Sequence, residues 1–469
     1  MAYTIAAIST APGEGGIGIV RVSGPESKSL MKRLMLSCPE KIVPRHAYFG
    51  KVVRDSSDPE AEVIDEAVFL FMQGPASYTG EDMLEIQGHG SNVSLRAILS
   101  AVLSSGLPDV RMADPGEFTK LAFLNGKMDL SQAEAVIDII KAKSDLSLGI
   151  AEDQRAGRLS MTIKDIRGTL LDVLAQMAVD IDYPDEDYDV DAGQYSELID
   201  QLKEVKSGVD NLLSTVTIGK IAREGVKAVI AGKPNAGKSS LMNAILGEGR
   251  VIVTDVPGTT RDTVEESASL GGLPIVLVDT AGLRESEDIV EKIGIERTAH
   301  AISDADLLIV VLDGSHELDE EDGKVLSLVE QMSKERMLVV INKEDLGKTL
   351  TEEAVLERLP GVRIISTSLV GKAAIEAAKK VSEAVGDMFD INGINVRETN
   401  IVTNERHVDL LRKASADLGD AAAMLQNGEP VEVAELSAHY AYEALGKIIG
   451  EEVGEEILNT VFSKFCLGK

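Results

Sequence analysis

The chain has 469 residues, 44% of them apolar, and its 78 acidic against 47 basic side chains leave a net charge of −31. That length admits about three domains of roughly 150 residues. No stretch approaches the roughly 18 unbroken apolar residues of a membrane span, and Met1–Ile8 lacks the basic-then-apolar pattern of a signal peptide. Such acidity repels polyanions at long range, which excludes nonspecific RNA binding. The two cysteines, Cys38 and Cys466, offer no disulfide framework, and the chain reads as cytoplasmic.

In chain order, short β-type runs come first: Ile17–Val22, Ala47–Val53 and Ala67–Met72, separated by Gly/Pro turns and joined by a helical stretch over Val93–Leu103. From Phe118 to Ala222 the period is helical. Ile163, Ile166, Leu170, Val173 and Met177 recur at steps of three and four, as do Tyr195, Leu198, Leu202, Val205, Val209 and Leu212. Ser131 with Glu134 has the form of a capping box at the head of another helix. Strands then return, each followed by a helix: Val226–Ala231, Ile275–Val278, Leu307–Leu312 and Met337–Ile341, a pattern that predicts a parallel sheet covered on both faces. Beyond Val381 helical texture resumes, with Leu411, Leu418 and Leu425 on one stripe. The expected architecture is multidomain α/β plus α: an N-terminal α+β domain (1–117), a helical bundle in two halves (118–222 and 381–469), and a doubly wound P-loop domain (223–380) inserted between them.

Gly232-Lys-Pro-Asn-Ala-Gly237-Lys238-Ser239 matches the phosphate-loop pattern between a predicted strand and a predicted helix over Ser240–Leu246. Backbone N–H groups there cradle phosphates, Lys238 reaches the β and γ phosphates, and the Ser239 hydroxyl ligates Mg²⁺; Asn235, Ala236, Gly237 and Ser240 complete the expected contacts. Asp279-Thr280-Ala281-Gly282 follows the next strand, as a metal-side Asp and a γ-phosphate-sensing Gly should. Asn342-Lys343-Glu-Asp345 follows the strand Met337–Ile341. A carboxylate at Asp345 accepts from guanine N1–H and the 2-amino group, which adenine cannot supply, so the ligand reads as GTP. Ser366-Thr367-Ser368 occupies the place of a late guanine-contacting segment. Between the first two motifs, Thr254-Asp255-Val256-Pro257-Gly258-Thr259-Thr260-Arg-Asp262 supplies Thr260 to complete the Mg²⁺ shell. Leu283 stands where a catalytic Gln is expected, so another group orients water and another charge replaces an arginine finger.

Thr254–Asp262, with Pro12–Arg21, Ser77-Tyr-Thr-Gly-Glu-Asp82-Met-Leu-Glu85, Pro115-Gly-Glu-Phe-Thr, Phe123-Leu-Asn-Gly-Lys127 and Phe465-Cys-Leu-Gly-Lys469, resembles the bacterial tRNA-modification GTPase family MnmE (TrmE) over essentially the full length. The resemblance implies a homodimer that works with an MnmG-like FAD protein, in a heterotetramer. Together they would install an aminomethyl or carboxymethylaminomethyl group on carbon 5 of the wobble uridine of certain tRNAs, the tRNA being held mainly by the partner. It implies a tetrahydrofolate derivative (5-formyl or 5,10-methylene) as one-carbon donor, held by Arg21, Glu85, Lys127 and Lys469, with Cys466 as a site thiol. It also implies K⁺ in place of an arginine finger, ligated by Asn235, Thr254, the Val256 backbone and Thr259, G-domain dimerisation across it, and Glu291 as the water-orienting acid; apart from the resemblance, Arg284 is the rival candidate.

Other patterns carry less. Gly13-Glu-Gly15-Gly-Ile-Gly18 has the spacing of a dinucleotide fingerprint, but a strand follows it rather than a helix. Cys466-Leu-Gly-Lys469 has the layout of a prenylation box, but its second aliphatic position is Gly, Lys is not a typical last residue and no polybasic run precedes it. The acidic run Asp180–Asp191 lacks the Gly and Glu of a calcium loop and reads as a solvated connection. His89 reads as structural. A ribosome-assembly or signalling switch is the competing reading, and the N-terminal signatures have no place in one.

Overall fold

The computed structural model describes residues 3–58, 60–182, 195–249, 265–279, 302, 305–330, 332–389 and 400–469. The chain divides into two compact units. One comprises Met1–Ile137, Arg155–Arg167 and Tyr442–Lys469; the other comprises Asp138–Gln154 and Gly168–Ala441.

The first unit is built on strands β1 (Thr4–Ile8), β2 (Gly15–Ser23), β3 (Ala47–Val53), β4 (Val63–Met72), β5 (Met83–Gly90) and β6 (Val110–Met112), in the order β3-β4-β5-β2-β1-β6. Pairing is antiparallel except for β1 with β6. Alternation sorts the side chains. Val20, Val22, Leu84 and Ile86 enter one core with the helices Ser27–Leu34 and Asn92–Leu103, whereas Ile5, Ala7 and Met83 enter a second with Ala113 and Phe118. Strand β1 is therefore apolar on both faces, in keeping with its unbroken Thr-Ile-Ala-Ala-Ile run. Arg21 and Glu85 lie opposite each other in register, one on each of the paired strands β2 and β5. The helix Glu455–Phe462 brings Leu458, Phe462 and, just beyond it, Phe465 against Leu130, Ala133 and Ile137; each fully buried large side chain there is worth about 2 kcal/mol.

The expected capping box at Ser131 and Glu134 is displaced by two residues toward the N-terminus. Helix Leu130–Lys141 is capped by Asp129, whose carboxylate accepts from the Gln132 N–H (3.0 Å) while the Gln132 side chain accepts from the Asp129 N–H (2.9 Å). Ser131 lies inside the helix, buried, bonded to Asp129 and Ser160. The dinucleotide-like glycines begin strand β2, as their sequence context requires.

In the second unit, β7 (Val226–Ala231), β8 (Glu265–Leu270), β9 (Leu273–Asp279), β10 (Leu307–Asp313), β11 (Met337–Asn342) and β12 (Arg363–Ser366) form a sheet ordered β12-β11-β10-β7-β9-β8. It is parallel except for its edge, where β8 runs antiparallel to β9, a correction to the all-parallel expectation. Successive residues of β10 alternate between two cores: Leu307, Ile309 and Val311 in one, Leu308, Val310 and Leu312 in the other. Burial on both faces is why these strands read as continuous apolar runs. The helices Ser196–Ser214 and Glu405–Gln426 pack against each other, and Leu202, Val205, Val209, Leu411 and Leu418 on them are all buried.

Candidate functional site

The nucleotide motifs converge on the carboxyl ends of β7, β9, β11 and β12, the end of an open α/β sheet at which ligands bind. The loop after β7 turns through Asn235 at φ +61° and Gly237 at φ +112° into helix Lys238–Gly249, which starts ahead of the expected Ser240. Gly237 admits no side chain, because a Cβ there would lie 2.1 Å from Asn342 Nδ2. Lys238 Nζ donates to the carbonyls of Gly232 and Lys233, both at 2.9 Å, which holds its ammonium on the loop. Ala236 is buried, while Ser239 and Ser240 are exposed in the first turn of the helix, where free N–H groups and the helix dipole favour anions.

Asn342 is 3% exposed and ties the site together. Its Nδ2 donates to the Ala236 carbonyl at 2.8 Å, and its Oδ1 accepts from the Leu369 N–H at 3.1 Å. One amide thus fastens the phosphate loop to the loop after β12. Asp345 is exposed, and the Ser368 hydroxyl donates to its Oδ1 at 2.6 Å. Thr367 N–H donates to Ile341 and its carbonyl accepts from Glu344 N–H. Ser366 turns the other way, its hydroxyl donating to Glu352, so within the expected late segment Ser368 is the side chain that faces Asp345.

Lys343, at φ +68°, donates to Asp313 Oδ2 at 2.5 Å. Burial alone would raise the Asp313 pKa, but the bonds from Lys343 and Ser315 outweigh it and hold the carboxyl at about 2. Asp279 ends β9 with its backbone in register with Ile230. Thr254, Asp255, Val256, Pro257, Gly258, Thr259, Thr260, Thr280, Ala281, Gly282, Leu283, Arg284 and Glu291 lie outside the described residues.

Sequence comparison places this site in a family. A profile described as "GTP-binding protein TrmE N-terminus" matches residues 4–127, and one described as "MnmE helical domain" matches residues 130–466. The tRNA modification GTPase MnmE of Clostridioides difficile (strain 630) is 43% identical over 470 residues, covering 99% of both chains. The chain belongs to the MnmE family of tRNA modification GTPases. Its MnmE relative from Geobacillus thermodenitrificans (strain NG80-2) is likewise 43% identical over 471 residues, with 99% of both chains covered. Among solved structures, the G domain of the T. maritima FeoB iron transporter is 28% identical, with a TM-score of 0.25, covering 34% of this chain and 98% of that one. As a member of the MnmE family this protein is a GTP hydrolase of tRNA modification. Among the described residues no helix is long and apolar enough to cross a membrane.

The residues that the MnmE resemblance offered for folate are partly gathered in the first unit. Arg21 is bound by Glu85 through Nε (3.1 Å) and Nη2 (2.9 Å), and its Nη1 donates to the Gly468 carbonyl at 3.3 Å. The Ser9 hydroxyl donates to the same carbonyl at 3.0 Å. Burial lowers the Lys469 pKa, helped by the nearby Arg21 charge and opposed by Glu85. Two side-chain cations thus stand near the Glu85 carboxylate, Arg21 by hydrogen bonds and Lys469 by its electrostatic influence, and both can donate to oxygen acceptors. The Lys127 ammonium donates to the Pro75 carbonyl at 3.0 Å. Cys466 is exposed. Two aromatic rings inside the quoted signatures flank this cluster, a feature that spacing alone did not reveal: the Arg21 guanidinium lies 5.8 Å from the Tyr78 ring centroid and 5.9 Å from that of Phe118. His89 is exposed with Nδ1 2.6 Å from Asp65 Oδ1, and that hydrogen bond raises its pKa.

Proposed function

We propose that this GTPase installs an aminomethyl or carboxymethylaminomethyl group at carbon 5 of the wobble uridine of certain tRNAs. It does so as a homodimer together with an MnmG-like FAD protein, with a tetrahydrofolate derivative as one-carbon donor. Support comes chiefly from the meeting of Arg21, Glu85 and the Gly468–Lys469 segment, three stretches far apart in sequence that carry the family signatures. In this reading residues 1–117 bind folate and mediate dimerisation, 118–222 and 381–469 form the helical domain, and 223–380 hydrolyse GTP.

Within the G domain, Asn235–Ser240 hold the phosphates, Lys238 reaches the β and γ oxygens, and Ser239 with Thr260 hold Mg²⁺. Asn235, Thr254, the Val256 carbonyl and Thr259 hold K⁺, Glu291 orients water, and Asp345 reads the base. When bound, the two cations supply positive charge where it develops between the β and γ phosphates. Asn235, with its backbone in the left-handed region and its side chain exposed, offers an amide oxygen of the kind such a ligand set uses. At the first unit, Arg21 and Lys469 donate toward folate oxygens and Glu85 accepts from its N–H groups. The expected result is GTP hydrolysis much faster in K⁺ than in Na⁺, and tRNA wobble uridines that lose the modification, by nucleoside mass spectrometry, when the gene is removed. Equal rates in the two salts remove the K⁺ assignment; unchanged uridines remove the substrate assignment.

A further inference from the structure

We infer that Lys233, the second residue of the phosphate loop, is a positioning residue whose side chain anchors the loop from behind and so sets the grip on GTP. The inference rests on the reading of Gly232–Ser239 as the nucleotide loop. Lys233 is 7% exposed and reaches the start of another helix rather than solvent. Its ammonium donates to Asp319 Oδ2 and Asp322 Oδ2, both at 2.7 Å. Both carboxylates belong to the start of helix Glu320–Val329, and both are themselves fixed by a capping box. Asp319 Oδ1 accepts from the N–H groups of Glu321 and Asp322 at 2.9 Å, and Asp322 accepts in return from the Asp319 N–H. The frame behind the loop is therefore rigid.

What the anchor fixes is the main chain of Lys233. Its carbonyl accepts from Lys238 Nζ at 2.9 Å and from the Ala236 N–H at 3.4 Å. Lys238, the cation that meets the phosphates, thus rests on a carbonyl whose own residue is bolted to another helix. The charge arithmetic is also local. Asp322 is 2% exposed and its Oδ1 is buried without a hydrogen-bond partner among the described residues, so Lys233 is its principal counter-charge. Burial disfavours the Lys233 ammonium, and the two carboxylates more than restore it. Lys343 is held from the same segment through Asp313, so one stretch of chain, Asp313–Asp322, steadies a lysine from each of two nucleotide motifs.

The test measures GTP and GDP affinity by calorimetry in magnesium buffer, with steady-state hydrolysis, on the full chain and four variants. Lys233→Met alone strands a buried carboxylate and can unfold the domain, so the decisive variant is Lys233→Met with Asp322→Asn, which removes both buried charges together. This double variant is expected to keep the parent melting temperature. It should bind GTP about tenfold more weakly, the loss appearing in KM with kcat changed by less than about threefold. Lys233→Arg, which can keep both ion pairs, should restore affinity to within about threefold of the parent. Asp319→Asn, at a half-exposed position, should fall between the two. A folded double variant with parent affinity, or an Arg variant as impaired as the double one, overturns the inference. Lys238→Ala serves as the control: GTP binding retained there would defeat the nucleotide-loop reading itself, whereas its loss beside an unimpaired double variant defeats only the role of Lys233.

Discussion

Replacing Asn342 by Ala is the sharpest probe of how the G domain holds nucleotide. The native amide satisfies the Ala236 carbonyl and the Leu369 N–H, two main-chain groups in segments that are themselves 0% and 9% exposed. Water has little access to either group, so truncation leaves both unpaired. A buried polar group deprived of its partner costs about 1–3 kcal/mol, so the pair is worth about 2–6 kcal/mol. That cost falls on the arrangement of two ligand loops, so affinity for GTP should drop by about tenfold or more for every 1.4 kcal/mol that binding must supply to restore it. The assay is urea unfolding monitored on the transition that GDP shifts, which reports the nucleotide-bound body and no other, with calorimetry for affinity. Asn342→Asp provides a same-size control: a carboxylate facing the Ala236 carbonyl should cost at least as much as Ala at neutral pH. A GDP-linked transition moved by less than about 0.5 kcal/mol in Asn342→Ala would refute the argument that this amide couples the loops.

Three further outcomes follow from the described geometry. Asp345→Asn reverses the hydrogen-bond polarity offered to the base and should shift preference from guanine to xanthine nucleotides; retained guanine preference in competition binding would misplace the base site. Asp313 has a folded pKa of about 2 against 3.8, so its contribution of about 2 kcal/mol is present above pH 4 and is lost as pH falls from about 4 to 2. Asp313→Asn should flatten that part of the stability–pH curve, and an unchanged acid limb would show that the Lys343 pair contributes nothing. Gly468 sits at φ +90°, and a Cβ there would lie 2.4 Å from the Ile8 carbonyl, so Gly468→Ala should displace the segment from Arg21. Folate binding should then weaken at least about tenfold by fluorescence titration while GTP hydrolysis stays at the parent rate; parent-level folate affinity would separate that segment from the site.

How much of this was legible beforehand depended on whether a feature is local. The phosphate loop and Asn342–Asp345 announce themselves because backbone geometry and base chemistry dictate residue type at each position. β10 and β11 read as runs because both faces are buried. Strand β4 begins at Val63, ahead of the expected Ala67, since Asp65 and Glu66 break the apolar pattern. Asp65 is tolerated there because His89 and Ser94 bond to it, partners that no periodicity reveals. Edge strand β8, Glu-Glu-Ser-Ala-Ser-Leu, lacks the branched residues that mark a strand and was missed. The box at Ser131 and Glu134 was a true motif form in the wrong register, displaced by the better cap at Asp129. Lys233 was invisible because its two partners lie 86 and 89 residues away. Ser368 was assigned with its neighbours, and only the direction of the Ser366 hydroxyl separates them.

The bond from Arg21 to Gly468 joins residues 447 apart. A ribosome moving at roughly 5–20 residues per second delivers the second of them roughly 20–90 s after the first. Throughout that interval the surface around Arg21 and Glu85 is incomplete, whatever the rest of the unit has achieved. A nascent chain stalled anywhere before Gly468 therefore carries the guanidinium without the carbonyl that steadies it.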